Sequence, residues 1–285
     1  MPLPFAKGHG LGNDYIVIRR RELPAPSAQQ IRALCDRHTG IGSDGVLLLD
    51  DESTPFALRI FNPDGTEAEK SGNGLRIAGA FLHLHGRVST GETFPVALSR
   101  DTVTMTVERE LDDGALLIRV EMGVATFRGS DVGFVNGDRE VVNRDLELPD
   151  GTIASINTVS LGNPHCVVFI DRLDREDFLR RAPQLCTHEA FAHGTNVQFA
   201  RVIDDRNIEA WIWERGAGET RASGSSASAV AAAAVHNSLI PPGSITIHMQ
   251  GGDARIEVFP SYDVVLTAPA VIVFQGELLH SIAAG

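Results

Sequence analysis

Apolar and polar positions along this 285-residue chain alternate in short runs or recur at helical spacing, and the order of the segments is written twice. In the first half the pattern predicts a strand over residues 5–7, a Gly-rich loop over 8–14 and an apolar strand over 15–18. A helix is predicted over 29–37, and strands over 46–49 and 57–61. Leu75, Ala78, Gly79 and Leu82 fall on one face of a helix predicted over 75–85. Alternation then predicts strands over 102–107 and 116–122. The second half repeats the order, with strands near 167–170, 196–200 and 208–213, a helix over 225–236, and strands over 244–249 and 254–259.

The repetition extends to the loops. Phe61-Asn62-Pro63-Asp64-Gly65-Thr66-Glu67 leads to Ser71-Gly72-Asn73-Gly74, and Trp213-Glu214-Arg215-Gly216-Ala217-Gly218-Glu219 leads to Ser223-Gly224-Ser225-Ser226, 152 positions later. Gly12-Asn13-Asp14 answers Gly162-Asn163-Pro164 at an offset of 150, and His38 with its Gly-rich loop answers His188 and His193-Gly194-Thr195-Asn196. A duplicated α/β (α+β) fold of two pseudo-symmetric domains follows, with residues 1–120 plus 273–285 in one and 121–272 in the other. No low-complexity linker separates the halves, so tight packing and a single shared site, with Ser71 facing Ser223, are expected.

Hydrophobic residues at 43% exclude a disordered chain, and an aromatic content of 6% disfavours a stacking platform for single-stranded nucleic acid. A net charge of −12 repels phosphate backbones and anionic membranes, which leaves a small zwitterion as the compatible partner. Cys35, Cys166 and Cys186 are an odd count without metal-finger spacing, which points to a reducing compartment. No leader-like N-terminus or membrane-length apolar run is read, so the cytoplasm is the expected location.

The chemistry concentrates at the two Ser-Gly turns. A helix that begins there points unpaired N–H groups and its positive dipole end outward, and glycine lets a ligand approach the backbone. Ser71 and Ser223 also suit plain helix N-caps, but two caps in equivalent copies, each behind a charged Gly loop, exceed what capping requires. Other motifs fail on context. Gly40-Ile41-Gly42-Ser43-Asp44-Gly45 follows a helix and opens a strand, the reverse of the dinucleotide-binding order. His188 and His193 are five apart where a helical zinc motif needs four, and neither serine lies in a GxSxG elbow. No metal site is expected.

His9-Gly10-Leu11-Gly12-Asn13-Asp14, Asn62-Pro63-Asp64-Gly65-Thr66-Glu67-Ala68-Glu69, Gly162-Asn163-Pro164-His165-Cys166, Gly194-Thr195-Asn196-Val197 and Glu214-Arg215-Gly216-Ala217-Gly218-Glu219-Thr220 resemble the signature segments of diaminopimelate epimerases, in the family's order. The resemblance covers essentially the whole chain, down to Gly251-Gly252 and the closing Gly276-Glu277-Leu278-Leu279-His280. It implies two halves, each a curved, mostly antiparallel sheet around a central helix. It also implies cofactor- and metal-independent epimerisation of LL- to meso-diaminopimelate, a lysine and cell-wall precursor, with a homodimer among the assemblies it allows.

In that family a cysteine at the start of each central helix serves as acid or base, and here both positions are serine, Ser71 and Ser223. A thiol titrates near ~8.5 and a helix N-terminus lowers it further, whereas a serine hydroxyl is a far weaker acid. Another group must therefore deprotonate serine. By resemblance His165 and Glu214 sit beside the α-centre and are the candidates, ahead of Lys70 and His9; Cys166 follows His165 on a strand and points the other way. The resemblance further assigns substrate binding to Asn13, Asn62, Asn163 and Asn196, recognition of the distal end to Glu214 and Arg215, and carboxylate binding to Gly72, Asn73, Gly224 and Ser225. Two alternatives stay open: an isomerase or lyase on another amino acid that uses the Ser/Ser pair, and an inactive amino-acid-binding homologue.

Overall fold

The computed structural model of the protein describes residues 2–135 and 137–279. His280 of the closing motif, and residue 1 and residues 280–285 of the first expected domain, lie outside them. The chain divides into two compact units, one running to Glu121 and resuming at Thr267, the other spanning Met122–Leu266.

The first unit contains β1 (Leu3–Gly10), β2 (Asn13–Arg19), α1 (Ala28–Cys35), β3 (Val46–Asp50), β4 (Phe56–Phe61), β5 (Glu67–Ala68), α2 (Gly72–Leu84), β6 (Thr93–Ala97), β7 (Thr102–Glu110) and most of β8 (Leu116–Val124). The Gly-rich stretch over 8–14 is not an open loop. β1 and β2 run on as an antiparallel hairpin to the pair Gly10 and Asn13. The two turn residues, Leu11 and Gly12, have φ of 56° and 82°. Left-handed values at both positions are those of a type I′ turn, whose twist matches the strands on either side. Asn13 is thereby placed in the first pair of a rigid hairpin.

The second unit contains β9 (Arg144–Glu147), β10 (Ile153–Ser160), β11 (Pro164–Phe169), α3 (Arg175–Cys186), β12 (Asn196–Asp204), β13 (Asn207–Glu214), β14 (Gly218–Thr220), α4 (Gly224–His236), β15 (Gly243–Met249) and β16 (Gly252–Val258). The last strand, β17 (Asp263–Leu278), begins here and ends in the first unit, where it pairs antiparallel with β1. The two units repeat one order of pairings. β1–β2 is antiparallel, β2–β3 parallel, β3–β4 and β4–β5 antiparallel, β4–β6 parallel and β6–β7 antiparallel. From β10 to β16 the same senses recur in the same order. Each parallel pair is bridged by a helix, as parallel neighbours require.

In each unit the second helix is buried on all sides. Every residue from Gly72 to Leu82 is buried, as is every residue from Gly224 to Val235. Such helices cannot be amphipathic. α4 meets this with Ala227, Ala229 and Ala231 through Ala234, small enough to let β10–β13, β15 and β16 approach it from several sides. α2 likewise packs against β1–β4 and β7. No helix among the described residues is long and apolar enough to cross a membrane.

Candidate active site

Both central helices start alike. Ser71 has φ −140° and ψ 116° and accepts a hydrogen bond from Gly74 N at 3.1 Å. Ser223 has φ −144° and ψ 124° and accepts from Ser226 N at 3.4 Å. Extended backbone at the cap with the side chain folded onto the first turn is what serine does at an N-terminus. It also sets each Oγ at the positive end of a buried helix dipole, where negative charge is favoured. Gly72 and Gly224 are the first residues of those turns.

Around Ser71 a one-way chain of hydrogen bonds runs through Asn73 and Asn13, two of the positions expected to bind substrate. The Arg76 guanidinium donates from Nη2 to Asn73 Oδ1, Asn73 Nδ2 donates to Asn13 Oδ1 at 2.9 Å, and Asn13 Nδ2 donates to Asp44 Oδ2 at 2.9 Å. A cation at one end and a carboxylate at the other fix the orientation of both amides between them. Arg76 is 0% exposed, and among the described residues no carboxylate pairs with it. It donates instead to Gly72 O at 3.1 Å and Pro269 O at 2.7 Å. Burial pushes the guanidinium down to about 9, which leaves it charged at neutral pH. Beyond Asp44, Arg37 bonds both Asp44 and Asp14 at 2.7 Å, and Lys7 lies 2.8 Å from Asp14. Burial alone would raise Asp14, but hydrogen bonds from Arg37 and Lys7 outweigh it and hold the carboxyl at about 2. Ser71 Oγ also lies 3.3 Å from the Tyr15 hydroxyl.

Around Ser223 the equivalent positions form a neutral network. Asn163 Nδ2 donates to Ser225 Oγ at 3.4 Å, and Ser225 Oγ lies 3.4 Å from Ser223 Oγ. Asn163 answers Asn13, and Ser225 answers Asn73. Ser228, in the place of Arg76, donates to Gly224 O at 2.8 Å as Arg76 does to Gly72 O. Duplication thus reaches the individual hydrogen bond, while the first unit's copy has a buried cation, Arg76, where the second has Ser228.

His165 was expected to take a proton from serine, and its surroundings argue against that. It is 0% exposed, with Nε2 3.0 Å from Asn163 Oδ1 and Nδ1 3.1 Å from Gln198 Nε2. Burial, and secondarily the charge of Arg215, push the imidazole down to about 3. A neutral ring with both nitrogens engaged orients Asn163 and has no lone pair left for a serine proton. Cys166 is fully buried on the other side of the strand, and burial beside Cys186 pushes its thiol up, so it supplies no thiolate. Lys70 is drawn to Asp101 at 2.8 Å, and His9 Nδ1 accepts from Gly12 N at 3.4 Å.

The other expected residues are loop braces as well as candidates for binding. Asn62 bonds Thr66 Oγ1 at 3.0 Å within its own turn. Asn196 accepts from Arg215 N at 2.9 Å and donates to Pro164 O at 3.1 Å, which ties the loop after β13 to the start of β11. Arg215 donates to His193 O at 3.2 Å, and Glu214 closes β13 opposite Gly218 in the β13–β14 hairpin. Sequence reasoning passed over Tyr15, Arg76, Gln198 and Asp44. Arg76 had a signal, as the one charge in an apolar helix. Tyr15 had one too, since it follows Asn13 at the distance by which His165 follows Asn163.

A family model described as diaminopimelate epimerase matches residues 5–128 and 157–273. A protein of Nostoc sp. named diaminopimelate epimerase 2 is 41% identical over 285 residues, covering 99% of this chain and 98% of that protein. The diaminopimelate epimerase of Pelotomaculum thermopropionicum is 38% identical over 278 residues, covering 96% and 98%. Among solved structures, a hydroxyproline epimerase from Agrobacterium vitis, with trans-4-hydroxy-L-proline bound, superposes with a TM-score of 0.73 at 13% identity, covering 97% of this chain and 92% of that one. A phenazine biosynthesis protein of the PhzF family from Bacillus anthracis gives 0.63 at 13% identity, covering 98% and 100%. At such identities the likeness is one of fold.

Proposed function

The chain belongs to the diaminopimelate epimerase family, and on that premise we propose that it is an amino-acid epimerase acting without a cofactor, with LL- and meso-diaminopimelate as its substrate pair. The observation that carries this reading is the repeated turn: in both units a serine Oγ is held at the head of a buried helix with a family binding position hydrogen-bonded beside it. Inversion of an α-centre needs a base on one face and an acid on the other, and Ser71 and Ser223 are the groups we assign to the two faces. Asn13, Asn73, Asn163 and Ser225, with the first-turn N–H groups at Gly72 and Gly224, would hold the α-ammonium and α-carboxylate. Glu214 and Arg215 would read the distal amino-acid end, and Asn62 and Asn196 would bind the substrate, Asn196 also bracing the loop of Arg215. His165 serves as support for Asn163.

Serine makes this chemistry slow. Each pKa unit by which its hydroxyl lies above a thiol costs about 1.4 kcal/mol in reaching the ionised form. A helix dipole returns at most about 2 kcal/mol. A second reading, a ligand-binding homologue without turnover, is favoured by one fact: both hydroxyls are already occupied as N-caps. Incubation with LL- or meso-diaminopimelate in D₂O separates the two. Deuterium entering the α-positions, read by mass spectrometry, is the expected result; tight binding without exchange supports the second reading. We place the enzyme in the cytoplasm, in keeping with three buried, unpaired thiols, and take a homodimer as its assembly, to be checked by sedimentation.

A further inference from the structure

The two units differ at the position two residues beyond their equivalent asparagines. In the second, His165 is locked between Asn163 and Gln198. In the first, Tyr15 reaches Ser71 itself, its hydroxyl 3.3 Å from Oγ across 56 residues of sequence. The ring has a built seat. Tyr15 is 5% exposed, and a Cβ at Gly45 would lie 2.6 Å from Tyr15 Cε1 and 2.4 Å from the Phe61 carbonyl oxygen. Glycine at position 45 is therefore what leaves the ring its place beside the serine. Ser71 Oγ accepts in turn from Gly74 N at 3.1 Å, which turns it towards the first turn of the helix beside Tyr15.

We infer that Tyr15 is a catalytic residue, the proton reservoir of Ser71, so that the two hydroxyls act as a dyad on one face of the α-carbon. This rests on the epimerase reading above. A phenol titrates near ~10 and is far easier to ionise than an alcohol. A relay lets the negative charge reside on the better acid while the smaller Ser71 oxygen meets the substrate. In the deprotonating direction the Tyr15 phenolate takes the Ser71 proton as Ser71 Oγ takes the α-proton. The Cα–H bond and the old Oγ–H bond break, new Oγ–H and Oη–H bonds form, and the Cα–H electron pair stays on the substrate, conjugated with its carboxylate. In the other direction Ser71 protonates the carbanion, Tyr15 reprotonates Ser71, and the phenolate is restored. A separation of 3.3 Å is long for a resting O–H···O bond and is of the kind that tightens in the Michaelis complex.

The test isolates one face. In a Ser223→Ala background, α-hydrogen exchange into D₂O depends on Ser71 alone. Adding Tyr15→Phe, which keeps the ring in its seat, is expected to lower that exchange by about 100-fold or more. Tyr15→Phe and Ser71→Ala should be non-additive, the double variant being no slower than Ser71→Ala. Replacing Tyr15 with 3-fluorotyrosine, a stronger acid of nearly the same shape, should raise the Ser71-dependent rate at fixed pH, a response that a purely packing role does not produce. Unchanged exchange in the Ser223→Ala/Tyr15→Phe protein, or an equal loss on the Ser223-dependent face, overturns the dyad and leaves the epimerase reading standing. No exchange by the wild-type protein with either substrate overturns both.

Discussion

At the scale of single residues, burial decides what each polar group can do. His165 illustrates this with a sign that can be measured. Its imidazole is held neutral down to about 3 by burial, while in the unfolded chain it titrates near its ordinary 6.5. The unfolded chain therefore binds a proton that the folded chain refuses. The stability contribution is whole above about pH 6.5 and is lost as pH falls from there towards 3, by about 1.4 kcal/mol per pH unit. Urea unfolding of wild type and His165→Gln between pH 7 and 5 should show the steeper loss in wild type; parallel losses would mean that the ring is not kept neutral. Arg76 is the converse case, a cation that burial cannot neutralise at working pH and that survives by donating to two carbonyls and an amide.

At the scale of elements, the first turn of α2 carries both a cap and a charged brace. Arg76 satisfies Gly72 O, Pro269 O and Asn73 Oδ1 together because a guanidinium is a planar fork. Lysine keeps the charge but lacks the fork, so Arg76→Lys should leave at least one buried acceptor unpaired and cost about 1–3 kcal/mol. Chemical denaturation measures that cost, and a loss below about half a kcal/mol would show that water or a shifted backbone replaces the fork. The same substitution removes the donor that Arg76 Nη2 supplies to Asn73 Oδ1. The hairpin β1–β2 and the crossover from α1 to β3 complete the brace, since they bring Asn13 and Asp44 within 2.9 Å.

At the scale of the whole molecule, the repetition of pairing senses from β1–β7 in β10–β16 assigns one serine-headed helix to each unit. If serine acidity is the main restraint on turnover, Ser71→Cys together with Ser223→Cys should raise epimerisation of diaminopimelate by orders of magnitude, because the thiol pair is accessible near neutral pH. Either single change should give much less, as inversion needs both an acid and a base. A folded double variant that binds diaminopimelate without any gain would redirect the site to another amino acid.

Much of this architecture is written locally. The apolar periods, the Ser-Gly turns and the offset of about 150 are properties of residues a few positions apart compared with one another, and they suffice for the duplication, the two central helices and the strands nearest them, but not for β6, β10 or β17. Even α3, which the reading passed over behind its charges and Pro183, shows the pattern in Phe178, Ala182, Leu185 and Cys186. The contacts that give those serines their surroundings are not local. Tyr15 meets Ser71 over 56 residues, Gln198 meets His165 over 33, and Arg76 meets Pro269 over 193. Which side chains meet is set by strand pairing, parallel for His165 and Gln198, and by the packing of helices on the sheet, and which of them hold charge is set by burial. Both are sums over the folded chain, so only the tertiary structure could bring a phenol to Ser71, a neutral network to Ser223, and Asn163 and Gln198 to the two nitrogens of His165.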